Sequence, residues 1–218
     1  MTENEWKRAR DDGQRAMRRQ AILDIARSLI AQADFSQVAM NEVARRAGLA
    51  KGTLYLYFPS KEALFLALTE TTLDEWFGRV HAAIGTRCSR AELATTVAST
   101  LAQTALLPRL LAILHGVLEH NVGDAEILAF KRFLRSRVTT LGERIDSAAR
   151  WPAGSGAAAV LRLHAYVIGV QHLTSPSPAV QRALANDDLE LFRLDFASAL
   201  ADVLPMILQP LPRERKQR

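Results

Sequence analysis

Apolar residues along this chain recur at every third or fourth position rather than at alternate ones, the spacing of helices with one buried face. Ala21, Ile22, Ile25, Ala26, Leu29 and Ile30 mark a first helix over 15–34. A short second helix is expected over 38–47, closed by Gly48, which supplies a left-handed turn at low cost, and a third over 51–58. Pro59 breaks the chain. Ser60 is placed to cap a fourth helix reaching about Ile84, with Leu64, Leu68, Leu73, Trp76, Val80 and Ile84 along one side.

Beyond it, Ser89-Arg90-Ala91-Glu92 is a capping box that opens a fifth helix to about Leu107, and Pro108 starts the next, which ends near "HNVGD". A further helix is expected over 124–149, then the loop "WPAGSG", a helix over 157–173, a short one over 178–185 and a last one over 187–208. No segment alternates in the manner of a strand. The expected fold is all-α: a three-helix N-terminal head over 1–60, a helical body over 61–212 and a basic tail over 213–218.

Composition changes this picture little, charge changes it more. Apolar residues make up 49% of the 218, enough for a substantial core, and no run of about 18 apolar residues suggests a membrane span. The N-terminus lacks the apolar stretch of a signal peptide, and the lone Cys88 excludes an internal disulfide, so a soluble cytoplasmic protein is expected. Net charge is +5, distributed as +4 over residues 1–61, −2 over 62–212 and +3 in the tail. A basic module joined to a nearly neutral one suits a nucleic-acid-binding head on a partner domain.

The head supplies the geometry for such binding. Two short helices about a tight turn at Gly48-Leu49 form a helix-turn-helix, whose second helix enters the major groove. On that second helix Leu54 and Phe58 lie four apart and can anchor on Ile25, Val43 and Ala44, leaving Gly52, Thr53 and Leu56 outward with Lys51 and Tyr55 beside them.

The stretch "AMNEVARRAGLAKGTLYLYFPSKEALFLAL" resembles the DNA-binding domain of the TetR family of transcriptional regulators over about residues 15–68. The resemblance implies an all-helical homodimer that binds a palindromic operator, probing it with Lys51, Gly52, Thr53, Tyr55 and Leu56 and holding phosphates with Tyr57 and Lys61. It also implies a C-terminal bundle that binds a small-molecule effector and thereby releases DNA; the residues themselves give no reason to expect a cofactor or a metal. Gly52 lets the backbone approach the groove at a helix cost of up to about 1 kcal/mol. Lys51 can reach guanine acceptors or a phosphate, and Thr53, Tyr55 and Leu56 can pack on thymine methyls. Tyr57 reads equally as a core aromatic.

Departures from the family pattern remove two hydroxyls, since Val38-Ala39 stands where a Thr pair is usual and Ala50 where Ser is usual. Ser36 is then the candidate to cap the second helix, and Asn41 becomes a candidate reader of adenine. Lys7, Arg8, Arg10, Arg15, Arg18 and Arg19 form a basic arm for phosphates, while Arg45 and Arg46 read as a solvated face.

The body carries no ligand motif. Its candidates are polar or aromatic residues that interrupt apolar helices: Trp76, Gln103, His115, His164 and Tyr166. His115 and Glu119 lie four apart with His120 beside them, but two ligands do not make a metal site. A helix-turn-helix usually reads two half-sites as a dimer, and the resemblance places the interface on the helices over 157–173 and 187–208, through Val160, Leu163, Val167, Val170, Leu189, Phe192, Phe196, Leu200, Val203 and Ile207. Two other classes stay open: a helical enzyme acting on a small molecule, against which stands the lack of any nucleophile elbow, P-loop or dinucleotide pattern, and a non-specific DNA-packaging protein.

Overall fold

The structure, a computed structural model, describes residues 3–212, with side chains from residue 13 onward. Ten α-helices follow in order: α1 (Glu3–Gln32), α2 (Met40–Arg46), α3 (Lys51–Tyr57), α4 (Lys61–Ala83), α5 (Arg90–Ala102), α6 (Leu106–Ile113), α7 (Asp124–Ala149), α8 (Ser155–Thr174), α9 (Pro178–Ala183) and α10 (Phe196–Ile207). No strand occurs among the described residues. The side chains of Lys7, Arg8 and Arg10 and the tail over 213–218 lie outside the described residues.

Helices α1 to α3 close over Ile22, Leu23, Ala26, Val43, Ala44, Leu54 and Phe58, all buried. Ile25 is only half-buried at the edge of this cluster, because the inward face of α1 runs through Ile22, Leu23, Ala26 and Ile30 instead. Gly48 takes φ +64°, the left-handed turn expected between α2 and α3. Neither helix has a side-chain cap: Ala39 and Ala50 occupy the two N-cap positions. Ser36 does not cap α2 either. It sits in a single 3₁₀ turn, Phe35–Gln37, that the Gln37 side chain closes by accepting from the Asp34 N–H at 3.1 Å.

Helix α4 begins where Ser60 Oγ accepts from the Ala63 N–H at 3.0 Å, and its buried residues belong to the one apolar cluster that joins head and body. Its first turns are buried almost all round, from Leu64 to Thr69, and its later turns bury Thr72, Leu73, Trp76, Phe77 and Val80. The hydroxyls of Thr69 and Thr72 would be orphaned there. They donate instead to the carbonyls of Phe65 and Leu68, at 2.8 and 2.7 Å. An Arg27–Glu75 pair, two hydrogen bonds of 3.0 and 2.7 Å, ties α1 to α4.

Two breaks depart from the sequence expectation. Helix α5 stops at Ala102, not near Leu107, and α6 begins at Leu106, so Pro108 falls within the first turn of α6, where its missing N–H leaves no bond unmade. The expected last helix over 187–208 is split: a 3₁₀ segment, Asp187–Phe192, precedes α10. Asp195 makes the new start, accepting from the Ser198 N–H and hydroxyl at 2.9 Å each.

In the body α7 and α8 meet backbone to backbone. A Cβ added to Gly142 would lie 2.6 Å from the Ala157 nitrogen, and one on Gly156 would run into the Gly142 carbonyl. Asp146 fixes this crossing by accepting from the Gly154 and Gly156 N–H groups at 2.7 and 2.6 Å.

Candidate functional site

Two places in this fold present chemistry: the outer face of α3 and a cavity inside the body. On α3, Leu54 and Phe58 are buried, which fixes the helix's rotation and turns Lys51, Gly52, Tyr55 and Leu56 to solvent. Leu56 is 77% exposed and Tyr55 38% exposed, on a helix whose other face is fully packed. Thr53 and Tyr57 are half-buried at the flanks, and Asn41 is exposed on α2. Lys51 Nζ lies 5.9 Å from the centre of the Tyr55 ring, so cation and aromatic sit on one patch.

Lys61, expected on a phosphate, is the first residue of α4. Its ammonium stacks on the Phe35 ring at 4.1 Å and donates to the Ser36 carbonyl at 3.5 Å. Burial lowers its pKa, an effect that neighbouring Glu62 opposes. Arg45 and Arg46 both pair with Glu42, at 2.7 Å each, and those hydrogen bonds hold the Glu42 carboxyl down at about 2. Arg19 lies over the Phe58 ring at 5.1 Å, and it, Arg15 and Arg18 are all exposed in the described part of the arm.

The cavity lies among α4 (Leu73, Trp76, Phe77), α5 (Leu101), α6 (Leu107, Leu111), α7 (Leu134, Val138) and α8 (Val160, Leu161, Leu163, His164, Val167). Its volume is about 30 Å³ within about 430 Å³ of empty space that includes its mouth. A ligand of ordinary size therefore enters only if the helices separate somewhat. Trp76 is 4% exposed, and its Nε1–H is wholly buried with no acceptor.

At one side His164 meets a polar chain. His164 Nε2 and His115 Nε2 are 3.0 Å apart, His115 Nδ1 is 3.2 Å from Glu119 Oε2, and Lys131 Nζ donates to Glu119 Oε1 at 2.7 Å. A carboxylate only accepts, so His115 gives it Nδ1–H. With both rings neutral His115 Nε2 is then bare, and the His164 Nε2–H must donate to it. His164 is pushed down to about 4 by burial, then by the positive charge of His115 and Lys131, with Glu119 opposing. Burial alone would raise the Glu119 carboxyl, but hydrogen bonds from Lys131 and His115 outweigh this and lower it. His115 belongs to a π turn, Leu114–Leu118, that ends α6.

Of the body candidates, Trp76 and His164 are walls of the cavity and His115 contacts it through His164. Gln103 and Tyr166 are not among the walls. Gln103 is exposed past the end of α5, and the Tyr166 hydroxyl donates to the Ala199 carbonyl at 2.8 Å. The leucines and valines that make most of the wall carried no signal beyond helical spacing, and Lys131 lies twelve residues from Glu119 on another helix.

The expected dimer residues also divide. Val160, Leu163, Val167, Val170, Leu200 and Ile207 are buried within this chain, because α8 and α10 pack on each other and on the body. The apolar side chains turned to solvent there are Leu161, Leu173, Leu191, Phe192, Leu194 and Met206. No single helix among the described residues is long and apolar enough to cross a membrane.

Comparison with known proteins places this geometry. Residues 22–68 match the family model for bacterial regulatory proteins of the tetR family, and residues 70–213 that for tetracyclin repressor-like C-terminal domains. The chain is 37% identical over 65 residues to the HTH-type transcriptional regulator RutR of Escherichia coli, covering 30% of this chain and 31% of that protein. It is 31% identical over 78 residues to the fatty acid metabolism regulator protein of Bacillus subtilis, covering 36% of this chain and 40% of that one. These relatives are thus matched over less than half of their own length. Among solved structures, a tetR-family regulatory protein from Rhodococcus RHA1 superposes with a TM-score of 0.56 at 14% identity, covering 89% of this chain and 98% of that one. FadR from Bacillus subtilis in complex with stearoyl-CoA does so with 0.52 at 19% identity, covering 87% and 99%.

Proposed function

This chain belongs to the tetR family of bacterial regulatory proteins, and on that premise we propose that it is a dimeric repressor that binds a palindromic operator through α3 and is released by a small molecule entering the body cavity. The observation that carries the reading is the exposed Lys51, Tyr55 and Leu56 patch on a helix anchored from behind by Leu54 and Phe58. A single exposed leucine is ordinary by itself, but beside Lys51 and Tyr55 on the open face of α3 Leu56 is positioned to meet thymine methyl groups.

In this reading the head, to residue 60, contacts DNA and the body, 61–212, holds effector and partner subunit. Lys51, Gly52, Thr53, Tyr55 and Leu56 face base edges, Asn41 and Tyr57 flank them, and Lys61 braces α4 against the Phe35 turn while its amine stays near the phosphates. The solvent side of α8, where Leu161, Ala165, Gly169 and His172 follow one another at helical spacing, pairs with the same face of a second copy, joined by Met206 of α10.

Coupling follows from α6. Leu107 and Leu111 are cavity walls, and between them Arg109 reaches the carbonyls of Ala31 and Ala33 at the end of α1. A ligand that spreads the cavity shifts α6 and α4 together and so re-aims the head. Only its differential affinity for the two shapes counts, typically about 1–3 kcal/mol of coupling.

The test is DNA binding across a salt series, comparing DNA upstream of the protein's own gene with a scrambled duplex of equal length. Tight binding of the native duplex alone, with a palindromic footprint, is expected. Equal and steeply salt-dependent binding of both would instead leave phosphate attraction only and favour the packaging reading.

A further inference from the structure

We propose that the body cavity takes an uncharged, mainly hydrocarbon molecule carrying one hydrogen-bond acceptor, such as a carbonyl oxygen, and that the Trp76 Nε1–H is the donor that holds it. This deepens the effector reading above and rests on the cavity being the effector site. Among the wall residues only Trp76 and His164 carry polar side-chain atoms, so nearly all of a ligand's surface meets hydrocarbon or ring carbon.

Trp76 lines that wall, and its Nε1–H is buried without an acceptor. A buried donor without a partner is unfavourable, and a ligand oxygen placed on it removes that penalty when the ligand binds. A hydrocarbon of the same shape gains nothing there.

The same wall argues against a charged ligand. Lys131 is paired with Glu119 outside the wall, and burial pushes His164 towards its neutral form. A carboxylate inside would lose its hydration with no counter-charge. An ammonium fares no better, since Glu119 already receives Lys131 and His115. With only about 30 Å³ open, the walls must part for a ligand of this kind to enter.

Three probes of one skeleton test this by calorimetric titration of the full-length protein at neutral pH: butyrophenone, butylbenzene and 4-phenylbutyrate. The ketone should bind about tenfold more tightly than the hydrocarbon, as one net hydrogen bond allows, and more tightly still than the carboxylate. Trp76→Phe keeps the ring but not the N–H, and should bring the ketone down to the hydrocarbon while leaving the hydrocarbon unchanged. Leu134→Phe, a larger side chain at a half-buried wall position, should weaken the ketone whether or not the Trp76 variant folds.

Binding of the carboxylate as tightly as the ketone, equal ketone and hydrocarbon affinities, a ketone affinity indifferent to either substitution, or no binding of any probe would each overturn the assignment. Binding with the expected order but no effect on operator affinity would leave the ligand chemistry standing and sink the effector reading instead.

Discussion

The guanidinium of Arg109 on α6 donates a 3.0 Å hydrogen bond to the carbonyl of Ala33, just past the end of α1, and its other nitrogen reaches Ala31 at 3.3 Å. Carbonyls at a helix end have no partner within the helix and carry the negative end of its dipole, so a cation there satisfies both. This contact links a helix of the cavity wall to the helix that supports the DNA-facing head. Replacing Arg109 with Met should raise amide exchange over residues 31–38 several-fold and lower the melting temperature by a few degrees, as loss of a charged hydrogen bond of about 1.5–3 kcal/mol allows. Unchanged exchange over that segment would remove the contact from the coupling route.

Tyr55→Ala and Leu56→Ala should each weaken operator binding by about 1–3 kcal/mol, roughly five- to more than a hundredfold, if their side chains meet base edges. Leu56 is too exposed to matter to the core, so its variant should melt within about 0.5 kcal/mol of the parent. A Leu56 variant that loses stability instead of affinity would reassign the residue to packing. Calorimetry and fluorescence anisotropy on the same sample separate the two.

Lys51 and Lys61 should differ in their salt signatures. Lys51 is exposed, and Lys51→Ala should lower the slope of log affinity against log salt by about one if it neutralises a phosphate. Lys61 stacks on Phe35, so Lys61→Met, which keeps the stem, should cost head stability while changing the slope less. The reverse order of slopes would place Lys61 directly on the DNA.

His164 predicts an acid-side loss of stability. Its folded pKa, about 4, lies below the ordinary 6.5, so above pH 6.5 both states are neutral and nothing is lost. As pH falls from 6.5 towards 4 the unfolded chain takes up a proton that the folded chain refuses, and stability drops by up to roughly 3 kcal/mol. Thermal melts of the parent and of His164→Gln should diverge over that window. Parallel curves would mean the imidazole is not held neutral.

Gly142 and Gly78 form a matched pair of tests. A Cβ at Gly142 would strike backbone of α8, so Gly142→Ala should cost about 1–3 kcal/mol despite the better helix former. Gly78 has nothing within 4 Å of an added Cβ on exposed α4 surface, so Gly78→Ala should stabilise by up to about 1 kcal/mol. Equal effects at both positions would mean that α7 and α8 do not touch at Gly142.

Much of this was legible in the chain itself, because it depended on neighbours a few residues apart. Helical spacing gave α4 and α7 nearly to the residue, Ser60 and Ser89 announced two helix starts, and Gly48 marked the turn between α2 and α3. Periodicity with Leu54 and Phe58 inward also put Gly52 and Leu56 outward on α3, as they are, but it set Thr53 outward and Lys51 and Tyr55 only beside, whereas Thr53 is half-buried and Lys51 and Tyr55 are exposed. The split of the last helix was also written locally, in Asp195 and Ser198, but an apolar pattern continuous across it hid the cap.

What only the tertiary structure decided is everything that joins helices distant in sequence. Periodicity says that Val160, Leu163 and Val167 face something apolar, and it cannot distinguish a second subunit from the chain's own core, which is what covers them. Nor could it pair His115 with His164 across 49 positions, set Lys131 on Glu119, or leave Trp76 without an acceptor. Short-range hydrogen bonds and side-chain spacing are fixed by the order of residues along a helix, whereas a cavity is what remains between helices after they have packed, and its chemistry exists only once they have done so.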